Sequence, residues 1–462
     1  MSKPYSYQNP RLSLWQSSVA EVHNSRISVV NRMAAVTSKR MKASNLAAED
    51  DLMAPIHDVR DALAAKRTSL APPAAPTPIS RPISLAAQAE TAGEIKDCAK
   101  TAAEFLWAEV KGDKQQAAVL SGELKFAVCD ATGWAQCVTT YLAYKATGGN
   151  QPYRPNLNPV IDLGSKSRLA IIGDWGTGDE VAINLLQQVQ TFSPDVLIHL
   201  GDVYYAGTQN EQQNNFLSVC RQVLGNIPLF SLCGNHDMYS GGNGYYWLVD
   251  QIGQQASYFC LQNPNWQFLA MDTGHNDNDP FTVGTNMTSL VTQNGWSEAN
   301  WHLQKIQNAG GRRTVLLSHH QLFSPFGSVG QANGKDSAYN TNLAANFQNI
   351  LGQIVWWFWG HEHTLAIYKP YMGLQRGRCV GASAVPVFKD QQSYTANNSL
   401  TPAPNSNPPF PTWNVNAQLG DNGTSYNNCF AIMTLTGASA NVDYYQVPIL
   451  GSATKFSVTD QA

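Results

Sequence analysis

Five short polar clusters carry the side chains in this sequence that could do chemistry together: Gly173-Asp174-Trp175-Gly176, Gly201-Asp202-Val203-Tyr204-Tyr205, Gly234-Asn235-His236-Asp237, Ser318-His319-His320 and Gly360-His361-Glu362-His363. Their carboxylates, imidazoles, amide and phenols are oxygen and nitrogen donors suited to hard or borderline metals such as Fe, Mn and Zn. No Cys lies in any cluster, which argues against a soft thiolate site. Two ions about 3.5 to 4 Å apart need roughly three or four protein ligands each plus a shared anionic bridge, and the five clusters provide that many. A lone zinc would use only three or four donors and leave the rest packed together without a partner.

Each cluster directly follows a short apolar run. The runs are Arg168 to Gly173, Val196 to Gly201, Ile227 to Cys233, Thr314 to Ser318 and Val355 to Trp359, with a further one at Gln267 to Met271. Helical periodicity lies between several of them, at Val181 to Val189, Asn215 to Leu224 and Glu298 to Asn308. Strands alternating with helices imply an α/β sheet, whose chemistry collects in loops at the carboxyl ends of its strands. The clusters are therefore expected to converge on one rim of a sheet. Cys429 to Leu435 and Val442 to Val447 read as a closing hairpin, and Gln391 to Asn428, rich in Asn, Ser and Pro, as a long surface loop. The Gly-rich stretch Ser240 to Tyr246 reads as a mobile wall of the pocket.

The order Asp-x-Gly, Gly-Asp-x-x-Tyr, Gly-Asn-His-Asp, a strand ending in His, and Gly-His-x-His resembles the calcineurin-like metallophosphoesterase superfamily in its purple acid phosphatase form. The resemblance covers roughly Ser167 to Val447. Most of that superfamily has Asp-x-His at the first cluster; here Gly176 stands in place of the His, and Tyr205 follows Asp202 by three residues. The resemblance implies an α/β fold of αββα layers, a β-sandwich flanked by helices, and a phosphoester hydrolase favouring monoesters. It implies that Asp174, Tyr205 and His363 bind one metal, that Asn235, His319 and His361 bind a second, and that Asp202 bridges them. His236 would contact the phosphate or protonate the leaving group, with Asp237 orienting it, and a hydroxide on the metals would be the nucleophile. A phenolate favours ferric iron, so the implied cofactor is Fe(III) paired with divalent Zn, Mn or Fe. The fourth cluster departs from the family pattern with Leu316 and with His320-Gln321, so either adjacent His could be the ligand; His319 is the first residue after the strand. His320, Arg376 and Arg378 are candidate substrate contacts.

The rival readings are a phosphodiesterase or nucleotidase on the same metals, and an idle scaffold whose biological work lies in its N-terminal third. The 462-residue chain carries a net charge of −3 and a pI near 6.4, which gives no global attraction to nucleic acid or an anionic membrane. The expected partner is a small phosphoester. No apolar run reaches the roughly 18 residues needed to span a bilayer. The N-terminus lacks the apolar core of a secretory signal, and eight scattered cysteines suggest buried free thiols; together these point to the cytoplasm, with an organelle transit peptide as the alternative reading of the Arg- and Ser-containing, acid-poor first forty-odd residues.

The domain reading is a helical segment over 1–70, a Pro-rich linker over 71–85, a helical accessory region over 86–160, the catalytic domain over 161–450 and a tail over 451–462. His199, inside its apolar run, and the Trp356, Trp357 and Trp359 group read as core.

Overall fold

The computed structural model describes residues 152–278, 288–389, 393–423, 425–449 and 451–462, together with Cys137, Thr140, Tyr141, Ala143, Tyr144 and Lys145, which are helical. The helical reading of 1–70, the Pro-rich linker and most of the accessory region lie outside the described residues.

The ordered alternation begins with β1 (Val160–Asp162), β2 (Lys166–Ile172), α1 (Glu180–Gln190) and β3 (Val196–His199). Helix α2 follows, in the consecutive turns Gln209–Glu211, Gln212–Leu217 and Ser218–Leu224, the middle one π-helical. Next come β4 (Leu229–Ser231), α3 (Asn243–Gln251), the hairpin of β5 (Phe259–Gln262) and β6 (Trp266–Ala270), and α4 (Glu298–Gln307). The second half supplies β7 (Arg313–Leu317), α5 (Thr341–Phe347), β8 (Ile354–Trp359), β9 (Leu365–Ile367) and β10 (Gly377–Val380). It closes with β11 (Asn428–Thr436), β12 (Ser439–Val447) and β13 (Thr454–Gln461).

Helix starts are encoded locally. Asp179 accepts from the Ala182 N–H at the head of α1, Ser297 from Asn300 at α4, and Asn340 from Leu343 at α5. Each satisfies one of the donors that a helix N-terminus leaves bare. Thr208 and Glu211 form a reciprocal capping box at α2.

The strands build two sheets. One has the order β13-β12-β11-β2-β3-β4, the other β1-β5-β6-β7-β8-β10-β9. Strands β2, β3 and β4 run parallel, as do β6, β7, β8 and β10. Alternating side chains settle how the sheets stack. Leu169 and Ile171 of β2 share one cluster with Phe268, Val315, Trp356 and Phe358 from the other sheet. Ala170 and Ile172 point the other way, onto Leu185 and Leu186 of α1 and Phe216 and Val223 of α2. On the opposite flank Leu316, Trp357 and Trp359 meet Trp301 of α4 and Phe347 of α5. The result is the expected αββα sandwich, and the tryptophan group is core on both faces of β8.

Two sequence expectations differ from the structure. The tail over 451–462 contains β13, an edge strand paired antiparallel to β12; its alternation is masked in sequence because Phe456 is its one fully buried side chain. The Ser240 to Tyr246 stretch is not a loose wall, since Gly244, Tyr245 and Tyr246 are buried in the first turn of α3. All six described cysteines are free and buried. Among the described residues no helix is long and apolar enough to cross a membrane.

Candidate metal centre

The five clusters meet, but along the rims of two sheets. Asp174, Asp202 and Asn235 follow β2, β3 and β4 of one sheet, whereas His319 and the His361 to His363 loop follow β7 and β8 of the other. The backbone bends sharply to aim them. Asp174, Asp202 and His361 sit at φ of 56°, 74° and 63°, a region that non-glycine residues seldom occupy and that concentrates at functional sites. Gly234 is required by closeness, because a Cβ there would lie 2.1 Å from Asp202 Oδ1.

The donor atoms face one another in two groups. In the first, His319 Nδ1 donates to the Leu200 carbonyl at 2.9 Å, which leaves Nε2 as a bare lone pair. That nitrogen lies 3.0 Å from Asn235 Oδ1 and 3.2 Å from His361 Nδ1. The Asn235 amide nitrogen is already committed to the Tyr239 hydroxyl at 2.7 Å, so its oxygen faces His319. Burial, with the charges of neighbouring imidazoles, pushes His319 and His361 well below the usual histidine range, so both rings are neutral. His319 Nε2 and Asn235 Oδ1 are then two acceptors pressed together at 3.0 Å, and a cation between them removes the conflict.

In the second group the Tyr204 hydroxyl lies 3.1 Å from Asp174 Oδ1, 3.2 Å from Asp202 Oδ2 and 3.2 Å from His363 Nε2. One phenolic proton cannot serve three acceptors. Asp202 Oδ2 also lies 3.5 Å from His319 Nε2, which puts this carboxylate between the groups. Burial first, then the fields of Asp174 and Asp237, push the Asp202 carboxyl well above the ordinary range. Such crowded anionic oxygen and neutral nitrogen fits a pair of borderline cations.

The tyrosine expected from the spacing is corrected here. Tyr204, not Tyr205, brings its phenol to the cluster; the backbone N–H of Tyr205 donates to Glu211, and its carbonyl accepts from His236 Nδ1 at 2.6 Å. The chain leaves Gly176 no room for a ring, since a Cβ there would meet Val203 Cα at 2.7 Å. Gly176 and Val203 bridge β2 to β3 at this point, and the next residue, Tyr204, fills the vacated space.

The calcineurin-like phosphoesterase family matches residues 167–365, a span that includes all five clusters. The chain carries a domain of that family over those residues. No curated protein matches it. Among solved structures, purple acid phosphatase PPD1 from yellow lupin seeds is 13% identical with a TM-score of 0.41, over 67% of this chain and 55% of the lupin protein. The chain thus spans about half the length of that relative. GAP50, the anchor in the inner membrane complex of Plasmodium, is 14% identical at a TM-score of 0.37, over 63% of this chain and 89% of its own. Vacuolar Protein Sorting 29 from Cryptosporidium parvum is 11% identical at 0.29, over 64% and 98%. Similarity at this level carries no argument about activity.

Several other expected site residues are placed differently. Asp237 does not orient His236. Its Oδ2 accepts from the backbone N–H groups of Asp202 and Gly234, and its Oδ1 from Gln212, so it clamps the loops after β3 and β4. The Tyr205 carbonyl orients His236 instead, leaving Nε2 turned toward Asp202 Oδ2 at 4.0 Å. His320 offers no ring nitrogen to a substrate. Its Nδ1 pairs with Thr273 Oγ1 and its Nε2 with Asp277 Oδ2, both at 3.0 Å, while its ring packs on that of His361 at 4.4 Å.

Arg376 and Arg378 are not substrate contacts. Arg376 lies over the Trp356 ring and donates to the Gln461 carbonyl. Arg378 pairs with Asp460 at 2.6 and 2.9 Å and ties β10 of one sheet to β13 of the other. His199 is buried against Ser231 Oγ, as core.

Sequence reasoning missed Glu362, a fully enclosed carboxyl between the two loop histidines. Its oxygens accept from Ser324 at 2.5 Å and Tyr368 at 3.3 Å, and burial pushes it up to about 7. It missed Thr273, Asp277 and Tyr239 as well. Thr273 and Asp277 are remote in sequence from the His320 they hold, and no motif marks Tyr239, four residues after Asn235.

Proposed function

We propose that this chain is a dimetal phosphohydrolase of the purple acid phosphatase kind, cleaving phosphomonoesters. Asp174, Tyr204 and His363 would hold one cation and Asn235, His319 and His361 the other, with Asp202 available to both. The observation that carries this reading is the approach of two acceptors, His319 Nε2 and Asn235 Oδ1, to 3.0 Å beside His361 Nδ1, an arrangement that a cation makes favourable. The phenol of Tyr204 supports Fe(III) paired with divalent Zn, Mn or Fe.

Cations bound there supply Lewis acidity toward the phosphoryl group and acidify water near neutral pH. The protein's own groups do the rest. Hydrogen bonding of Nδ1 to the Tyr205 carbonyl fixes the His236 ring, so Nε2 is the atom that meets substrate. Burial lowers His236 to about 3, and an arriving dianionic phosphate favours the protonated ring through its charge. The proton then held at Nε2 passes to the departing alkoxide. Asp237, locked onto two backbone loops, keeps Asp202 and Asn235 at fixed separation.

The test is elemental analysis and a visible spectrum of the isolated protein, with p-nitrophenyl phosphate as substrate. Two metal ions per chain, a visible band and turnover are expected. A colourless, active protein with two Mn or Zn would retain the phosphohydrolase and remove the iron pair. A protein that binds no metal and turns over no aryl phosphate would refute the reading.

A further inference from the structure

The centre is closed to solvent. Asp174, Asp202, Asn235, His236 and His319 are wholly buried, and His361 and His363 are only 5% exposed. A phosphoester must nevertheless reach them, so the cover over the centre decides what enters. Part of that cover comes from the helical residues Cys137, Tyr141, Tyr144 and Lys145, which precede the sandwich in the chain.

These residues meet the loop that carries Asn235 and His236 and a segment that supports His320. The Tyr144 ring lies against Gly241, where an added Cβ would come within 2.4 Å of ring Cδ2; Gly241 ends the turn that begins at Asn235 and His236. The Lys145 ammonium donates to Asn278 Oδ1 at 3.3 Å, beside the Asp277 that holds His320. Cys137 is 1% exposed. Its thiol lies in the field of Glu211, which binds the backbone of Tyr205, and interacts with the phenol of Tyr239, which holds Asn235. Tyr141 and Tyr144 are both buried, and the Lys145 ammonium sits 5.2 and 5.1 Å from their ring centroids. Two buried aromatic rings and a buried thiol thus pack beside these segments, with one cation at their edge.

We propose that Cys137, Tyr141, Tyr144 and Lys145 form the roof of the substrate pocket and restrict the centre to small phosphomonoesters, excluding phosphate borne on a polypeptide. This rests on the phosphohydrolase reading and adds a substrate class to it. A rigid aromatic roof leaves room for a compact leaving group, whereas a peptide flanking a phosphoserine needs an open groove on both sides. Lys145 offers the incoming dianion a positive charge at the mouth.

The experiment compares kcat/KM for p-nitrophenyl phosphate and for a phosphoserine peptide in the full chain, in Tyr144→Ala and in Lys145→Ala. The unmodified protein should strongly prefer the aryl phosphate. Tyr144→Ala should shift the ratio toward the peptide by about tenfold or more. Lys145→Ala, at an exposed position, should raise KM for both substrates. Equal use of the two substrates by the unmodified protein, or a ratio that stays fixed in Tyr144→Ala, overturns the proposal. If neither substrate is cleaved, the phosphohydrolase reading fails on its own. The roof is then read separately from alkylation of Cys137 by iodoacetamide, followed by mass spectrometry. Faster alkylation in Tyr144→Ala supports the cover, and an unchanged rate removes it.

Discussion

The Tyr204 hydroxyl sits 3.1 Å from the Asp174 carboxylate, in the place that motif spacing reserves for Tyr205. The two tyrosines therefore make opposite predictions. Tyr204→Phe should abolish a visible absorption band and lower occupancy of the cation beside Asp174, while Tyr205→Phe, which keeps the backbone that orients His236, should leave both intact. Absorbance spectra with elemental analysis of the two variants decide the matter; loss of colour in Tyr205→Phe alone would return the ligand role to that residue.

His236 separates catalysis from metal binding. Its Nδ1 is spent on a carbonyl and its Nε2 faces the pocket, so His236→Ala should retain metal while kcat falls about 10²- to 10⁴-fold, the range for a lost general acid. Metal content and turnover measured on the same preparation test this. Turnover near the unmodified level would deny His236 its role.

Asp277 and Thr273 would act on a cation at His361 through His320. They hold both nitrogens of a ring that packs against the His361 ring. Asp277→Ala should weaken metal affinity by about 10- to 100-fold, as loss of an outer partner of a ligand typically does. Chelator competition reads the effect, and adding excess metal should restore much of the turnover. An unaltered affinity would show that His361 needs no such support.

The Arg378 to Asp460 pair links the two sheets and gives stability a pH signature. Burial alone would raise the Asp460 carboxyl, yet the hydrogen bond and charge of Arg378, with Tyr444 and Trp356, hold it below its ordinary value. A depressed folded pKa means stabilisation that is complete above the ordinary aspartate value near 4 and lost as pH falls through the lower folded one. Asp460→Asn should therefore cost about 3 kcal/mol near neutrality by leaving a buried guanidinium without its counter-charge. The gap from the unmodified protein should close only below about pH 4. Thermal melts across pH check both parts.

The clusters were legible in sequence because each follows an apolar run, and the structure places all of them at strand ends. Strands such as β2 and β8 declare themselves through Leu169 to Ile172 and Trp356 to Trp359. What stayed hidden has physical causes. Strand β13 has alternating exposed residues and little apolar weight, so nothing distinguishes it from a tail. Whether Tyr204 or Tyr205 points inward depends on how Val203 packs against Gly176, a contact between two chain segments. Both arginines read as phosphate contacts because only the pairing of β10 with its neighbours shows that their partners lie in the other direction. The assignment of Asp237 failed for the same reason: its partners, Gly234 and Asp202, are backbone groups that no motif advertises.

Donors contributed by two separate sheets put the centre on the seam of the sandwich. Neither layer alone holds a full set, so any cation held there would tie the loops after β4 and β7 together across that seam. A chain starved of metal should therefore be weakest along this line.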